Sequence, residues 1–327
     1  MTTIYDVAER AGVSISTVSL ALNAPGRVRP STLNRILAAA DDLGYTPKPE
    51  AVVRARRGVR RIGVVAPFTS YPSFARRLYG VMRALRNQSF EIVVFDEESA
   101  VETVPSLASI PLTNKLDGLV IMSLPLVDTT AERIARQGLP TVLVELDRPG
   151  FSTITIDNAE GGRLAAELLV QRGHTRFGFI GESFVNPLLP PDKRLNAYRA
   201  SLEAAGHVLP DQSIVIVPAT MQDGCAAAHR LLDRPDAPTA IFAHQDVLAA
   251  GVLKAARERG LRLPDDLALI GFDDSEIAEP LGLTTIRQPL EESGEHAART
   301  LLAQLDGPDR SLQHITLKLR LVERDTT

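Results

Sequence analysis

The segment Thr3-Ile-Tyr-Asp-Val-Ala-Glu-Arg-Ala-Gly-Val-Ser-Ile-Ser-Thr-Val-Ser-Leu-Ala-Leu-Asn23 decides how the N-terminus of this chain folds. Thr3 and Asp6 have the spacing of a capping box, in which side chains serve the free amides of a first helical turn. Val7, Ala8 and Ala11 then form one apolar face, and Gly12 supplies the left-handed residue that ends a helix. Ser14 caps a second helix, running to about Asn23, with Val18, Ala21 and Leu22 inside. Two short helices around a tight turn make a helix-turn-helix, whose second helix presents its N-terminal end to a major groove. Ile15, Ser16 and Leu20 are its outward positions. Thr17, Ser19 and Asn23 are small polar residues suited to phosphate oxygens. With Thr3 and Tyr5 they form the candidate DNA-contacting set. The plainer reading of the same pattern is a three-helix bundle with no nucleic-acid role.

Working outward, Pro30 and Ser31 open a third helix with Leu33, Ile36, Leu37, Ala40 and Leu43 at helical spacing, and Gly44 stops it. Residues 1–46 therefore read as one small domain. Residues 47–60 follow as a linker: Pro47 and Pro49 mark the boundary, and Ala51 to Arg57 is too short to hold a helix alone in water. Residues 1–61 carry ten Lys and Arg against five Asp and Glu, while the whole chain has a net charge of −4. A basic end on an acidic body suggests a polyanionic partner at that end only, with a solvated basic linker as the alternative.

From Arg61 the pattern changes. Apolar, β-branched runs at 62–66, 92–95, 119–123, 141–146, 177–181, 214–217, 240–243 and 267–271 alternate with helical stretches. Continuous apolar strands separated by helices imply parallel sheets covered on both faces. Residues 61–327 exceed one such sheet, so the expectation is an α/β body of two lobes with a ligand cleft between them. The first lobe spans about 61–158 and 289–312, the second about 159–288 and 313–327.

Several classes are disfavoured. No run reaches the roughly 18 apolar residues of a membrane helix, and the N-terminal residues lack the apolar stretch of a signal peptide, so a cytoplasmic protein is expected. The one cysteine fits a reducing compartment. Dinucleotide, phosphate-loop and nucleophile-elbow motifs are missing. The six His show no metal spacing, and Cys225 with His229 makes only two ligands, more readily buried helix residues than a site. No cofactor and no metal are expected.

The block 3–14, then Ser-Thr-Val-Ser (16–19), Leu22-Asn23, Gly-Tyr-Thr-Pro (44–47) and Ile-Gly-Val-Val (62–65) resemble the lactose-repressor/galactose-repressor family. Ile156-Asp-Asn158, Gly173-His174, Arg194 with Tyr198, the block 240–246, Gly271-Phe-Asp-Asp274 and the block 283–289 continue the likeness in family order across nearly the whole chain. The resemblance implies an N-terminal headpiece that binds a pseudo-palindromic operator, a hinge helix, a sensor resembling periplasmic sugar-binding proteins, and a homodimer. It implies a regulator, most simply a repressor, whose small-molecule effector is a carbohydrate. Arg194, Asp246 and Asp273 match positions where relatives hold effector, each with helix capping or an ion pair as the alternative. Phe68, Tyr71 and Phe74, after the first sensor strand, are candidate stacking surfaces or core. Two departures stand out. Ile15 and Leu20 are apolar, able to meet thymine methyls but not to make bidentate base contacts. Arg54 occupies the hinge position where relatives carry a wedging leucine, and its rival roles are narrow-groove reading and plain phosphate contact. A transport solute-binding protein and a sugar-processing enzyme are the competing readings. The headpiece opposes the first and the missing catalytic motifs oppose the second.

Overall fold

The computed structural model describes residues 2–23, 25–45, 59–86, 88–97, 105–113, 115–182, 193–307 and 311–327. The chain divides into two compact units, Met1–Thr155 with Leu290–Ile315, and Ile156–Pro289 with Thr316–Thr327.

The first unit begins with α1 (Ile4–Ala11), α2 (Ile15–Asn23) and α3 (Pro30–Asp42). The local chemistry is as expected from the sequence. Asp6 accepts from the Thr3 amide at 2.7 Å, Gly12 takes φ +61° after α1, and Ser14 Oγ accepts from the Thr17 amide at 3.1 Å. Val7, Ala8, Ala11, Val18, Ala21, Leu22, Leu33, Ile36, Leu37 and Ala40 form the buried centre.

The rest of this unit is a sheet with helices. β1 (Arg60–Ala66) is followed by α4 (Pro72–Leu85), β2 (Phe90–Asp96), α5 (Pro105–Ser109) and a 3-10 turn (Ile110–Leu112). Next come β3 (Gly118–Met122), α6 (Asp128–Arg136), β4 (Thr141–Val144) and β5 (Ser152–Ile156), whose last residue opens the second unit. α11 (Leu290–Asp306) and β11 (His314–Leu317) return to it. The strand order is β11-β5-β4-β3-β1-β2, with β1 to β5 parallel. α4 and α11 meet so closely that a Cβ on Gly294 would sit 1.9 Å from the Arg77 carbonyl oxygen.

The second unit contains α7 (Asn158–Gln171), β6 (Phe177–Glu182), α8 (Lys193–Ala204), β7 (Ile214–Val217), α9 (Met221–Leu232) and β8 (Ala240–Ala243). α10 (Asp246–Glu258), β9 (Ala268–Asp273), β10 (Thr284–Arg287) and β12 (Arg320–Val322) complete it. The order is β12-β10-β9-β8-β6-β7, all parallel except β12. Phe177, Phe179, Phe242, Ile270 and Phe272 pack on one face and Ile180, Ile241, Ala243 and Leu269 on the other. Both faces are covered, so the strands read as unbroken apolar runs.

Both sheets place their second strand outside the first and the third on the other side. The topological switch point, where open α/β sheets take ligands, therefore lies between β1 and β3 in one unit and between β6 and β8 in the other. Strands β5, β10, β11 and β12 were not expected. Arg320–Val322 pairs antiparallel with β10. Ser, Thr and His are prominent in β5, β10 and β11. Their polar groups are paired by tertiary contacts, such as Ser152 Oγ with Gln304 Nε2 at 2.8 Å and Thr153 Oγ1 with His314 Nδ1 at 2.9 Å.

Candidate DNA-reading face and effector pocket

The outer face of α2 is open to solvent. Ile15 and Leu20 are each 40% exposed and Tyr5, on α1, is 66% exposed. Ser16 is exposed beside them, and Thr3, Thr17 and Ser19 are half-buried. The Ser14 hydroxyl contacts those of Ser16 at 2.8 Å and Thr17 at 2.7 Å, which fixes the first turn of α2. Exposed Arg27, Arg29 and Arg35 add positive charge to the domain. Arg54 and the rest of 46–58 lie outside the described residues, as does the side chain of Asn23.

In the second unit the strand ends at the switch point carry a connected polar group. Arg194, in the first turn of α8, donates from Nε to Asn158 Oδ1 at 2.7 Å and from Nη1 to the His244 carbonyl at 2.8 Å. Its guanidinium carbon lies 3.5 Å from the centroid of the Phe272 ring, a cation–π stack. α8 reaches this position because Gly162 lets α7 approach it: a Cβ there would meet the Arg194 carbonyl oxygen at 2.2 Å. His244 is 5% exposed, and burial first and the charge of Arg194 second push its pKa well below the ordinary value, so it is neutral near pH 7. Gln245 Nε2 donates to Glu182 at 2.6 Å, linking the loop after β8 to the end of β6.

Asp246 and Asp273 play different parts. Asp246 is 1% exposed, and its carboxylate accepts from the Ser275 amide at 2.6 Å, the Ser275 hydroxyl at 2.9 Å and the Thr285 hydroxyl at 2.6 Å. These bonds are neither the helix cap nor the ion pair that the sequence offered as alternatives for it. Burial, then the nearby charge of Asp273, raise its pKa over the opposing hydrogen bonds. Asp273 ends β9 at φ +113°, and its carboxylate accepts from the Gln288 side-chain Nε2. Asp274 follows at φ +53° and binds Arg324 at 2.7 Å and Arg287 at 2.5 Å. Burial opposes its ionisation, but these two guanidinium groups outweigh it and hold its pKa below the ordinary value. A non-glycine residue at positive φ costs of order 1–3 kcal/mol, and such strain gathers at functional sites.

The aromatic candidates of the first unit divide. Phe68 and Tyr71 are half-buried beyond the end of β1. Phe74 is 6% exposed, edge-on to Tyr71 at 5.9 Å and under Arg77 at 5.4 Å, so its ring is spent in the core.

Sequence reasoning passed over Asn158, His244 and Phe272, although each lies in a quoted motif block. It also paired Cys225 with His229 but missed Glu258, which accepts from His229 Nε2 at 2.9 Å and lies 3.7 Å from the thiol. Arg259 donates to His229 Nδ1 at 2.9 Å, and Lys254 pairs with Glu258. The donor atoms are thus engaged in an ion-pair network joining α9 to α10. Burial, then the charge of Glu258, raises the thiol pKa.

Comparisons with known proteins match both ends of the chain. Residues 3–48 match the model described as bacterial regulatory proteins, lacI family, and residues 166–327 match a periplasmic binding protein-like domain. The chain is 32% identical to the HTH-type transcriptional regulator DegA of Bacillus subtilis, over 100% of this chain and 98% of that one. It is 33% identical to the HTH-type transcriptional repressor CytR of Escherichia coli, over 98% and 93%. The structure of a transcriptional regulator CelR–cellobiose complex superposes with a TM-score of 0.70 at 28% identity, covering 100% of both chains. Among the described residues no helix is long and apolar enough to cross a membrane. With a helix-turn-helix whose outer face is open and full-length likeness to transcriptional regulators, the chain belongs to the lacI family and is a DNA-binding regulator of transcription.

Proposed function

We propose that the chain is a cytoplasmic repressor that acts as a homodimer on a pseudo-palindromic operator, with a sugar as its effector. The observation that carries the sugar assignment is Arg194, stacked on Phe272 beside Asn158 at the switch point of the second unit. A guanidinium and an amide fixed in this way match a sugar, whose hydroxyls take directed hydrogen bonds. The cellobiose-bound regulator supports this class. Arg194 and Asp273 are proposed to touch the effector, and Asp246 to hold the Ser275 turn beneath them. Phe68 and Tyr71 are the aromatic candidates at the corresponding strand end of the first unit. The unit of 1–46 is proposed to read DNA, 47–60 to act as hinge with Arg54 in the minor groove, and 61–327 to sense.

The test is thermal melting of the full chain across a library of sugars and nucleosides, since a ligand that binds only the folded state stabilises by RT ln(1 + [L]/Kd). A monosaccharide or disaccharide is expected to raise Tm and to change operator affinity. A shift with nucleosides alone would replace the sugar assignment. The effector is expected to be recovered chemically unchanged, and turnover would revive the enzyme reading.

A further inference from the structure

α3 ends in two acids, Asp41 and Asp42, with no basic residue in its last turn. Negative charge at a helix C-terminus is unfavourable, because free carbonyls already make that end negative. Asp42 is offset within the headpiece by Arg10 at 3.0 Å. Asp41 is offset from outside it. Arg133 of α6 donates from Nε and Nη2 to the two Asp41 oxygens at 3.0 and 2.5 Å, and Arg136 stands 3.6 Å away. Arg133 is only 4% exposed and its Nη1 donates to the Ala108 carbonyl at 2.7 Å, so the fork is committed in two directions. A buried arginine is tolerated when paired in this way and is costly otherwise.

The contact is also apolar. Ala108 and Leu112 are each 2% exposed and belong to the same buried cluster as Val18, Leu22, Leu33 and Ile36 of the headpiece. Gln137 Nε2 donates to the Tyr45 carbonyl at 3.2 Å, just where the chain leaves the headpiece. Meanwhile Ile15, Ser16 and Leu20 remain exposed.

We propose that the face formed by α5, the 3-10 turn and α6 is a docking surface for the chain's own headpiece, anchored by Arg133 on Asp41, and that it holds α2 oriented for the operator independently of the hinge. Docking lowers the orientational freedom lost on binding DNA, so it favours binding. α5 and α6 flank β3, one of the two strands at the switch point of this unit. A shift of β3 would reach the headpiece through this surface. The proposal rests on the DNA-binding reading.

The experiment uses the full chain as wild type, Asp41→Ala, Arg133→Ala and the double variant. Hydrogen exchange of the α1–α3 amides without DNA reads docking, and fluorescence anisotropy reads affinity for an operator selected from random DNA. Each single variant is expected to lose headpiece protection and to bind about tenfold more weakly, as for one charge-assisted hydrogen bond. The double variant should be no weaker than either single one. Asp41 lies on α3 of the headpiece, so its replacement removes no side chain from the sensor and still reads docking if Arg133→Ala unfolds it. Unchanged headpiece protection in Asp41→Ala, multiplying losses, or tighter operator binding would overturn the proposal. A wild type that binds no selected DNA would instead defeat the DNA-binding reading, while exchange still reports docking.

Discussion

The guanidinium of Arg194 stands over the ring of Phe272, 3.5 Å from its centroid, while its Nη1 holds the His244 carbonyl at 2.8 Å. The side chain is thus fixed before any effector arrives, by a stack and by hydrogen bonds that need a planar fork. Lysine keeps the charge but not that geometry. Arg194→Lys is expected to weaken binding of the sugar found by melting about ten- to a hundredfold, the loss of one or two charged hydrogen bonds. Operator affinity without effector should stay near wild type. Titration calorimetry checks the first expectation, and an unchanged sugar affinity would move the pocket elsewhere.

Asp246 gives a pH dependence with a definite sign. Its pKa in the folded chain is raised by burial and by Asp273 above the ordinary aspartate range. The folded chain therefore holds this proton more tightly than the unfolded chain. The associated stability is complete below the unfolded pKa and is lost as pH rises through the folded one. Asp246→Asn is expected to flatten the decline of Tm between about pH 4 and neutrality. Melting curves at half-unit steps check it, and an identical slope in both proteins would mean that Asp246 does not titrate there.

Tyr198 is fully buried in the second unit, and its hydroxyl has no partner among the described residues. An unsatisfied buried hydroxyl carries a desolvation cost of about 1–3 kcal/mol. Tyr198→Phe is expected to raise stability by about 1 kcal/mol, read by urea unfolding. A loss instead would reveal a hydrogen bond made by that hydroxyl.

The exposed, apolar Leu20 predicts readout of thymine methyls. On an operator selected from random DNA, replacing thymine by uracil at the contacted step should weaken wild type. The same replacement should leave Leu20→Ala unaffected, since that variant has already lost the contact. Equal sensitivity of the two proteins would assign the methyl to another residue.

What the sequence determined by itself is what depends on near neighbours in the chain. The capping acid at Asp6, the turn at Gly12, the Ser14 cap and the apolar faces of α1–α3 all act within a few residues. The apolar strands at 62–66 and 240–243 were equally legible, because a strand buried on both faces cannot carry charge. Tertiary structure decided the rest. Thr284 and Thr285 of β10 are buried because their hydroxyls find Thr327 at 2.9 Å and Asp246 at 2.6 Å, partners about forty residues away. Asp41 meets Arg133 across 92 positions, and Arg194 meets His244 across 50. Whether a charge is a surface group, an internal anchor or a ligand contact depends on which distant atoms desolvate it, and residue type and spacing carry no record of that.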